Sequence, residues 1–577
     1  MEGHENHSGE KLKKNEKRIV IILTIITIIC GVIGFKNEER SFFDALYLTA
    51  QLFIIHSGAH EYRPNAFLEL ARWLGAGLAI YAVIKLYMLL ISQSIKSWFF
   101  KKKDHVIIIG YNELALRIIK DLPDDYIILI GKTEKNLNTK LTNRHLLQFD
   151  TEKLDQTLLN QAGISYAREI YILGDKDDEN ISVGNDIMHH IIGKEQVEIT
   201  LWIRIDDKEK LRFYKHFHQR ISPGNNSRSI LNIHAFNLHE ITAQRLVDDN
   251  SPDKIVKILA DAPALHTAVI GDAPIARYLF EESLNMYHFL NLTKNIFTWV
   301  SDAPEIKRDD FHFHFPDIQM TGETHFREFD DFFSSMPDDL SLCYLCNEDY
   351  IQNILLGLRI RSRYFQNNKN LLMPDIICLV SDIPALDATM PDLIAQCEKA
   401  RLTLIDLETY CSVKQMINIH HEWDKIALAI HNTYNNLPQA DAVSAWSALS
   451  DAEKDQNRYP ARHLRVKLRS MGFDIDYDPA GKGEKLSLPD DMEIKMAIAK
   501  MEHNRWMAQK ILDGFTSVKD RANFPRDMKT VLLSHPDIVP FDDLSTLDIE
   551  KDWVTYPKVI ETSKIKIKEF EASSSLS

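Results

Sequence analysis

The 577-residue chain has little cysteine: Cys30, Cys343, Cys346, Cys378, Cys397 and Cys411 are all there is. Six are too few to staple a chain of this length, which excludes a disulfide scaffold and fits a reducing compartment. Glycine (21) and proline (20) are also sparse, which excludes collagenous and low-complexity classes. Positive charge is in deficit, 68 Lys plus Arg against 83 Asp plus Glu for a net charge of −15, and this excludes broad phosphate neutralisation along nucleic acid. Metal-ligand sets are missing too. Cys343 and Cys346 form a lone C-x-x-C inside the apolar run LSLCYLCNE and read as buried strand residues, while His420-His421 lacks a partner at ligand spacing and reads as a surface pair. What remains is globular usage, 45% hydrophobic and 26% charged, over about four common domain lengths, so several domains are expected.

Two apolar runs stand out. Residues 19–35 (IVIILTIITIICGVIGF) carry no charge and follow Lys11, Lys13, Lys14, Lys17 and Arg18. At about 1.5 Å per residue they just reach across a bilayer. No small-x-small cleavage site follows, only Lys36, Glu38 and Glu39, so a span is expected rather than a signal peptide. Residues 73–95 form the second run, followed by Lys96, Lys101, Lys102 and Lys103. Basic flanks outside both runs place both termini in the cytoplasm of a multi-pass inner (plasma) membrane protein. Between them, SFFDALYLTAQLFIIHSGA (41–59) is too short to cross and reads as a re-entrant or interfacial helix. Lys85 falls within the second run, either lining an oligomeric pore and opposing cations or snorkelling from a shifted span.

The stretch Phe43-Asp44-Ala45-Leu46-Tyr47-Leu48-Thr49 resembles the pore helix of two-helix potassium channels, which leads into a TVGYG filter. Here Ile54-Ile55-His56-Ser57-Gly58-Ala59 stands in that place, so the filter's carbonyl ladder is not encoded in its usual form. The resemblance implies a homo-oligomer, a tetramer by preference, that passes inorganic ions through a path lined by His56, Ser57, Gly58 and Lys85. The altered filter weighs against potassium selectivity.

Beyond residue 103 the pattern changes to strands alternating with helices, which predicts a doubly wound parallel sheet. Strands are expected at 105–110, 126–130, 146–149, 169–173 and 199–203. The opening HVIIIGYNELA, Phe149-Asp150, LLNQAGISYA (158–167), Ile170 to Leu173 and Asp177-Asp178-Glu179-Asn180 closely resemble the RCK, or TrkA-N, regulatory domain over about 100 residues. That resemblance implies a ligand site at Gly110, Asn112, Ala115, Lys132 and Asp150. A dinucleotide fingerprint needs G-x-G-x-x-G, whereas Asn112 holds the second glycine position and Gly131-Lys132 replaces the ribose-binding acid. NAD is therefore not expected. Lys132 suits a phosphorylated ligand, and a Rossmann shell kept only for assembly is the competing reading. A second, degenerate unit opens at His266-Thr267-Ala268-Val269-Ile270-Gly271, with strands expected at 297–300, 342–346 and 376–380.

From His421 the character is helical. The strings WSALSDAEKDQNR (446–458), ARHLRVKL (461–468), MEHNRWMAQKILDGF (501–515) and HPDIVPFDDL (535–544) resemble the RyR domain of ryanodine receptors. The resemblance implies nucleotide binding. Trp446 and Trp506 offer faces for a base, and Arg458, Arg462 and Arg505 offer forks for phosphate beside Glu502. Alternatively the tryptophans are core and the arginines pair with Asp455, Asp513 and Asp552. Glu502 and His503 lack a nucleophile or metal partner, so no enzyme is expected.

The expected order is a basic tail (1–18), a membrane pore-like segment (19–98), an RCK-like Rossmann domain (104–260), a degenerate Rossmann-like domain (261–412), a helical RyR-like domain (413–563) and a polar tail (564–577). This order implies a ligand-gated membrane protein whose partners are the lipid bilayer, a small nucleotide-like ligand and inorganic ions, without nucleic acid. The alternative is a non-conducting, membrane-anchored nucleotide sensor or scaffold, as in a bacterial defence effector.

Overall fold

The computed structural model describes residues 5–54, 65–99, 103–132, 145–151, 153–191, 198–217, 230–254, 265–290, 295–367, 373–410, 413–476, 490–563 and 565–570. Two compact units divide the chain, Met1–Lys101 and Lys102–Ser577.

The first unit holds three helices, α1 (Glu5–Lys36), α2 (Phe42–Leu52) and α3 (Ala66–Phe99). Two windows, Arg18–Lys36 and Ala66–Lys85, are long and apolar enough to cross a membrane. Their apolar side chains are largely turned outward: Ile19, Ile22, Ile25, Ile29, Trp73, Ile80 and Val83 are all exposed. That is the reverse of a soluble core helix and what lipid requires. At 11 residues α2 is about 16 Å long, half a hydrocarbon core. Ser41 caps it, Oγ accepting from the Asp44 amide at 3.2 Å. It lies so near α1 that a Cβ on Gly31 would come within 2.5 Å of Thr49 Cγ2. His56, Ser57 and Gly58, read as filter residues, lie outside the described residues.

The second unit is built on two parallel sheets. Strands β1 (His105–Ile109), β2 (Ile127–Ile130), β3 (Leu146–Phe149), β4 (Ala167–Ile172), β5 (Glu198–Arg204) and β6 (Ile230–Phe236) lie in the order 3-2-1-4-5-6. Helices α4 (Glu113–Asp121), α5 (Gln156–Ala162), α6 (Asp177–Ile191), α7 (Lys208–Phe217) and α8 (Leu238–Asp249) connect and follow them. Val106, Ile107 and Ile108 are fully buried, as a central parallel strand covered on both faces must be.

The second sheet repeats this order. β7 (Leu265–Ile270), β8 (Asn295–Val300), β9 (Glu323–Arg327), β10 (Leu340–Leu345), β11 (Asp375–Val380) and β12 (Leu402–Asp406) pair as 12-11-10-7-8-9. Its helices are α9 (Ile275–Met286), α10 (Pro304–His314), α11 (Phe329–Ser334), α12 (Tyr350–Asn367), α13 (Ile383–Thr389), α14 (Pro391–Lys399) and α15 (Leu407–Tyr410). Two sheets of the same switched order make tandem Rossmann-like folds. The strands expected from the sequence are all present. Three more, β6, β9 and β12, complete the sheets at their edges.

Strand alternation divides the second sheet's two faces. Ala268, Ile270, Cys343, Leu345 and Cys378 pack against α12. Val269, Trp299, Leu342, Tyr344 and Leu379 join a larger core that takes in α8, α9 and the C-terminal helices. Those are α16 (Val413–Asn435), α17 (Gln439–Ala448), α18 (Asp451–Ser470), α19 (Met492–Leu512), α20 (Lys529–Leu532) and α21 (Thr546–Ser563). An antiparallel pair, β13 (Phe473–Asp476) with β16 (Lys566–Glu569), and a short parallel pair, β14 (Thr516–Ser517) with β15 (Ser534–His535), close this part. Helix α18 opens on a full capping box, Ser450 and Glu453 each accepting the other's backbone amide.

The turn after β7 requires its glycine. Gly271 has φ +127°, and a Cβ there would lie 2.6 Å from the Cys346 carbonyl carbon. Gly472 also has a positive φ, +86°, but the space around it is open. Gly271→Ala is expected to cost about 2–4 kcal/mol, left-handed strain plus overpacking, and Gly472→Ala only about 1 kcal/mol. Thermal unfolding of the detergent-solubilised chain checks the order of the two.

Candidate functional site

The crevice beyond β1 and β4, where an open α/β sheet switches direction, is where a ligand would be sought first. Gly110 turns the chain there at φ +111°. Asn112 then caps α4, its Oδ1 accepting from the Ala115 amide at 3.0 Å. The same side chain donates through Nδ2 to the Leu173 carbonyl at 2.6 Å and to Asp175 at 3.1 Å. Arg204 reaches Asp175 at 3.2 Å, and Asn180 donates to the carbonyls of Gly174 and Arg204. The mouth of the crevice is thus laced by the chain's own polar groups. The Asn112 side chain thus engages the Ala115 amide, one of the α4 N-terminal donors that a pyrophosphate would use. Ala115 is buried, whereas Lys132 and Asp150 are exposed beyond β2 and β3. In the second sheet Asp272 fills the equivalent turn, accepting from Ser301 Oγ and the Asp302 amide. Cys343 and Cys346 are buried, the Cys343 thiol pushed up to about 12 by that burial, and no metal cluster occurs among the described residues.

The C-terminal candidates fall into separate places. Arg458 on α18 is gripped by Asp424 (2.6 Å) and Asp455 (2.9 Å). One turn on, Arg462 binds Asp248 of α8 through two bonds at 2.8 and 2.9 Å and lies 2.5 Å from Glu282 of α9. Its guanidinium stacks over Trp423 at 4.6 Å. The cavity these two arginines share with Trp202 and His234 holds about 20 Å³, room for a single water. Glu502 accepts from Arg505 at 2.9 and 3.0 Å and from Lys467 at 2.5 Å, all buried, and Lys467 also donates to the Tyr556 hydroxyl. Burial alone would raise the Glu502 pKa, but Arg505 and Lys467 outweigh it and hold the carboxyl well below its usual range. Trp506 stacks with His503 at 5.8 Å, and Trp446 meets His431 edge-on at 6.0 Å. The arginines' partners include Asp455, as one reading of the sequence had it. Asp513 makes no ion pair among the described residues, and the Asp552 side chain lies outside them.

A larger space lies elsewhere in the same unit. A cavity of about 650 Å³ opens where α7 and α8 meet α9, the α18 start and the α19–α20 segment. This is within the range of small-molecule sites. Lys208, Arg212 and Lys215 come from α7, Glu281, Glu282 and Asn285 from α9, and Asp455 and Tyr459 from α18. Leu512 to Phe515, with Thr530, Val531 and Leu533, complete it. The cations are all engaged. Lys208 and Arg212 pair with Glu281, and Lys215 pairs with Glu240 (3.0 Å) and Asp455 (3.4 Å). Burial would raise the Glu281 pKa, yet Lys208, Arg212 and Arg277 bring it down to about 2. Burial wins at Glu282, which rises to about 7 against the pull of Arg462. Sequence reading missed this cavity because its residues come from positions 208 to 533 with no local spacing to join them.

No family model matches the chain, and no curated protein matches it. Among solved structures, the chain is similar to the GsuK channel (12% identity, TM-score 0.34, covering 68% of this chain and 94% of that one). It is similar also to the GsuK channel bound to NAD (10%, TM-score 0.35, 72% and 84%). A third is the GsuK RCK domain (10%, TM-score 0.32, 53% and 74%).

Glu502→Gln strands Lys467 and Arg505 in the interior and is expected to cost about 3–5 kcal/mol. Asp150→Asn, on an exposed loop, should stay within about 0.5 kcal/mol. Urea unfolding of the full chain separates the two. Acid should weaken the fold in a defined window. Burial depresses His288 to about 4 and His535 to about 3, so unfolding takes up protons as the pH falls from about 6.5, and stability drops. Glu281, depressed to about 2, withdraws its contribution between about 4.5 and 2. Glu282 works in the opposite sense between about 7 and 4.5, and Glu282→Gln should steepen the acid loss there, read from Tm against pH.

Proposed function

We propose that the chain is a ligand-gated membrane protein in which α1 and α3 cross the bilayer and α2 enters it only part-way. The observation that carries this reading is the 11-residue α2, capped by Ser41 and seated against α1, in the same chain as two helices with outward apolar faces. A half-span helix between two spans is the arrangement of a pore subunit. In this reading copies of the chain, four by preference, surround a path lined by Lys85 and by residues 56–58, with both termini cytoplasmic. Lys85 is exposed and donates to the Tyr81 hydroxyl at 2.8 Å.

The cytoplasmic part comprises an RCK-like unit, a degenerate second Rossmann unit and an RyR-like helical module, and none of them acts as an enzyme. A small nucleotide-like ligand favours one of two arrangements of this part and so shifts the path between closed and open. The support is the joining of the second sheet, the first sheet's α8 and the C-terminal helices in one core, through which a local contact reaches all of them. A second reading, a non-conducting anchored sensor, is favoured by the altered filter sequence and by Lys85.

The test is K⁺ and Cl⁻ release from liposomes carrying the full chain, challenged with mono- and dinucleotides. A gated pore releases ions with a particular ligand, and Lys85→Ala shifts its ion preference toward cations. Absence of flux from folded, inserted protein under every condition overturns the pore and leaves the sensor.

A further inference from the structure

The uncharged run of α1 sets the depth of what lies beside it. Helices α1 and α3 run antiparallel. Near one end Asn65 Nδ2 donates to the Gly34 carbonyl at 2.8 Å and a Cβ on Gly34 would meet the Leu68 backbone, while near the other Ile19, Val20 and Leu23 line one cavity with Gly77, Leu78 and Tyr81. From Gly34 back to Ile19, and from Leu68 on to Val83, each helix rises about 22 Å, so Arg18 and Lys85 close the two apolar windows at one level. Both side chains are exposed. Lys11, Lys13, Lys14 and Lys17 precede Arg18 in the sequence, which marks this end as the cytoplasmic one.

Just inside that level the two helices leave a cavity of about 290 Å³. Its walls are apolar apart from the Tyr81 hydroxyl and the Trp73 indole N–H, and the latter donates to Glu69 at 3.3 Å. Gly77 stands in the wall with nothing within 4 Å of where its Cβ would be, whereas Gly31, Gly34 and Gly75 are each closed in by a neighbouring helix. Those three mark where the helices touch, and Gly77 marks where they part. An empty apolar gap forfeits contacts along its whole lining, and water has no polar partners there to draw it in. The mouth of the gap is different. Lys85 Nζ donates to the Tyr81 hydroxyl at 2.8 Å, and Arg18 adjoins Ile19 of the α1 wall, so the apolar groove ends in a hydroxyl and two cations.

We infer that the groove between α1 and α3 holds one anionic phospholipid of the cytoplasmic leaflet, an acyl chain along Leu23, Leu74 and Gly77 and its phosphate on Arg18 and Lys85. The inference rests on the reading above that α1 and α3 cross the bilayer, but not on conduction. Chain and headgroup are both needed to match the groove. A free phosphate leaves the apolar walls bare, and a zwitterionic lipid brings its own ammonium against two cations. The cytoplasmic leaflet is also where anionic lipid is found. At this depth Lys85 borders the cytoplasmic mouth of the proposed path, where lipid and water meet.

Native mass spectrometry of the full chain in detergent, with phosphatidylglycerol and phosphatidylcholine of equal chain length, tests the inference. The expected result is one phosphatidylglycerol retained per chain, about tenfold or more tighter than phosphatidylcholine. Arg18→Gln together with Lys85→Gln should bring the two lipids level, and Lys36→Gln, at the far end of α1, should leave the preference intact. Gly77→Phe, which fills open space, should expel both lipids. Equal retention of the two lipids by the unaltered chain, or retention unchanged by the Arg18/Lys85 pair and by Gly77→Phe, would overturn the site. So would a groove closed by a second copy of the chain, read as a lipid-free oligomer that Gly77→Phe dissociates. Selective lipid binding without ion flux from liposomes would leave the site standing and remove the pore, and flux without selective binding would do the reverse. Recovery of the chain in the soluble fraction without detergent would remove both.

Discussion

Helix α9 is buried almost all round, yet it carries Glu281, Glu282 and Asn285 into the interior. A carboxylate taken from water costs several kcal/mol unless cations meet it, and the rest of this unit is arranged to supply them. Lys208 and Arg212 come from the first sheet's α7, Arg277 from α9 itself, and Arg462 from the C-terminal α18. Because these cations sit on different parts of the chain, satisfying one helix obliges three segments to pack together. Arg462 extends the tie to Asp248 of α8, and Lys215 extends it to Asp455. The apolar core follows the same route, from Leu246 through Leu279 to Leu464 and Met507.

Such a junction suits a regulated protein. Ionic contacts between largely buried groups have few acceptable geometries, which favours discrete arrangements of neighbouring segments over gradual drift. The large cavity borders this network on α7, α9, α18 and α19, so its walls come from helices of both sheets and of the C-terminal part. The crevice over the first sheet is a poorer place to bias the assembly, since Asn112, Asn180 and Arg204 already bind its rim together.

Much of this fold was legible in the sequence. Central strands such as HVIII and IILI are apolar throughout because both faces are covered, and they declared themselves as runs. In the two large sheets the strands that escaped notice, ILNIHAF, ETHFR and LTLID, are edge strands, where one side meets water and polar residues interrupt the run; the short pairs β13 with β16 and β14 with β15, in a part read as helical, escaped as well. The site was legible only in part. Gly110, Asn112 and Ala115 stand in one turn, so their spacing exposed both the fold and the defect in its phosphate loop. Arg458 and Arg462 looked like phosphate forks because Asp248 and Glu282, the groups that hold Arg462, lie far away in sequence. Glu502 and Arg505 share one helix turn and still read as ligand groups, since nothing local reveals that Lys467 closes the triad inside the core.

If α9 and its cations lock both sheets and the C-terminal helices into one cooperative body, removing a single cation should loosen all of them. Amide hydrogen exchange on the full chain, with and without Arg462→Met, measures this. The variant is expected to speed exchange together in α7, α9, α18 and α19. Loosening confined to α18, with α7 and α9 as protected as before, would contradict the shared lock.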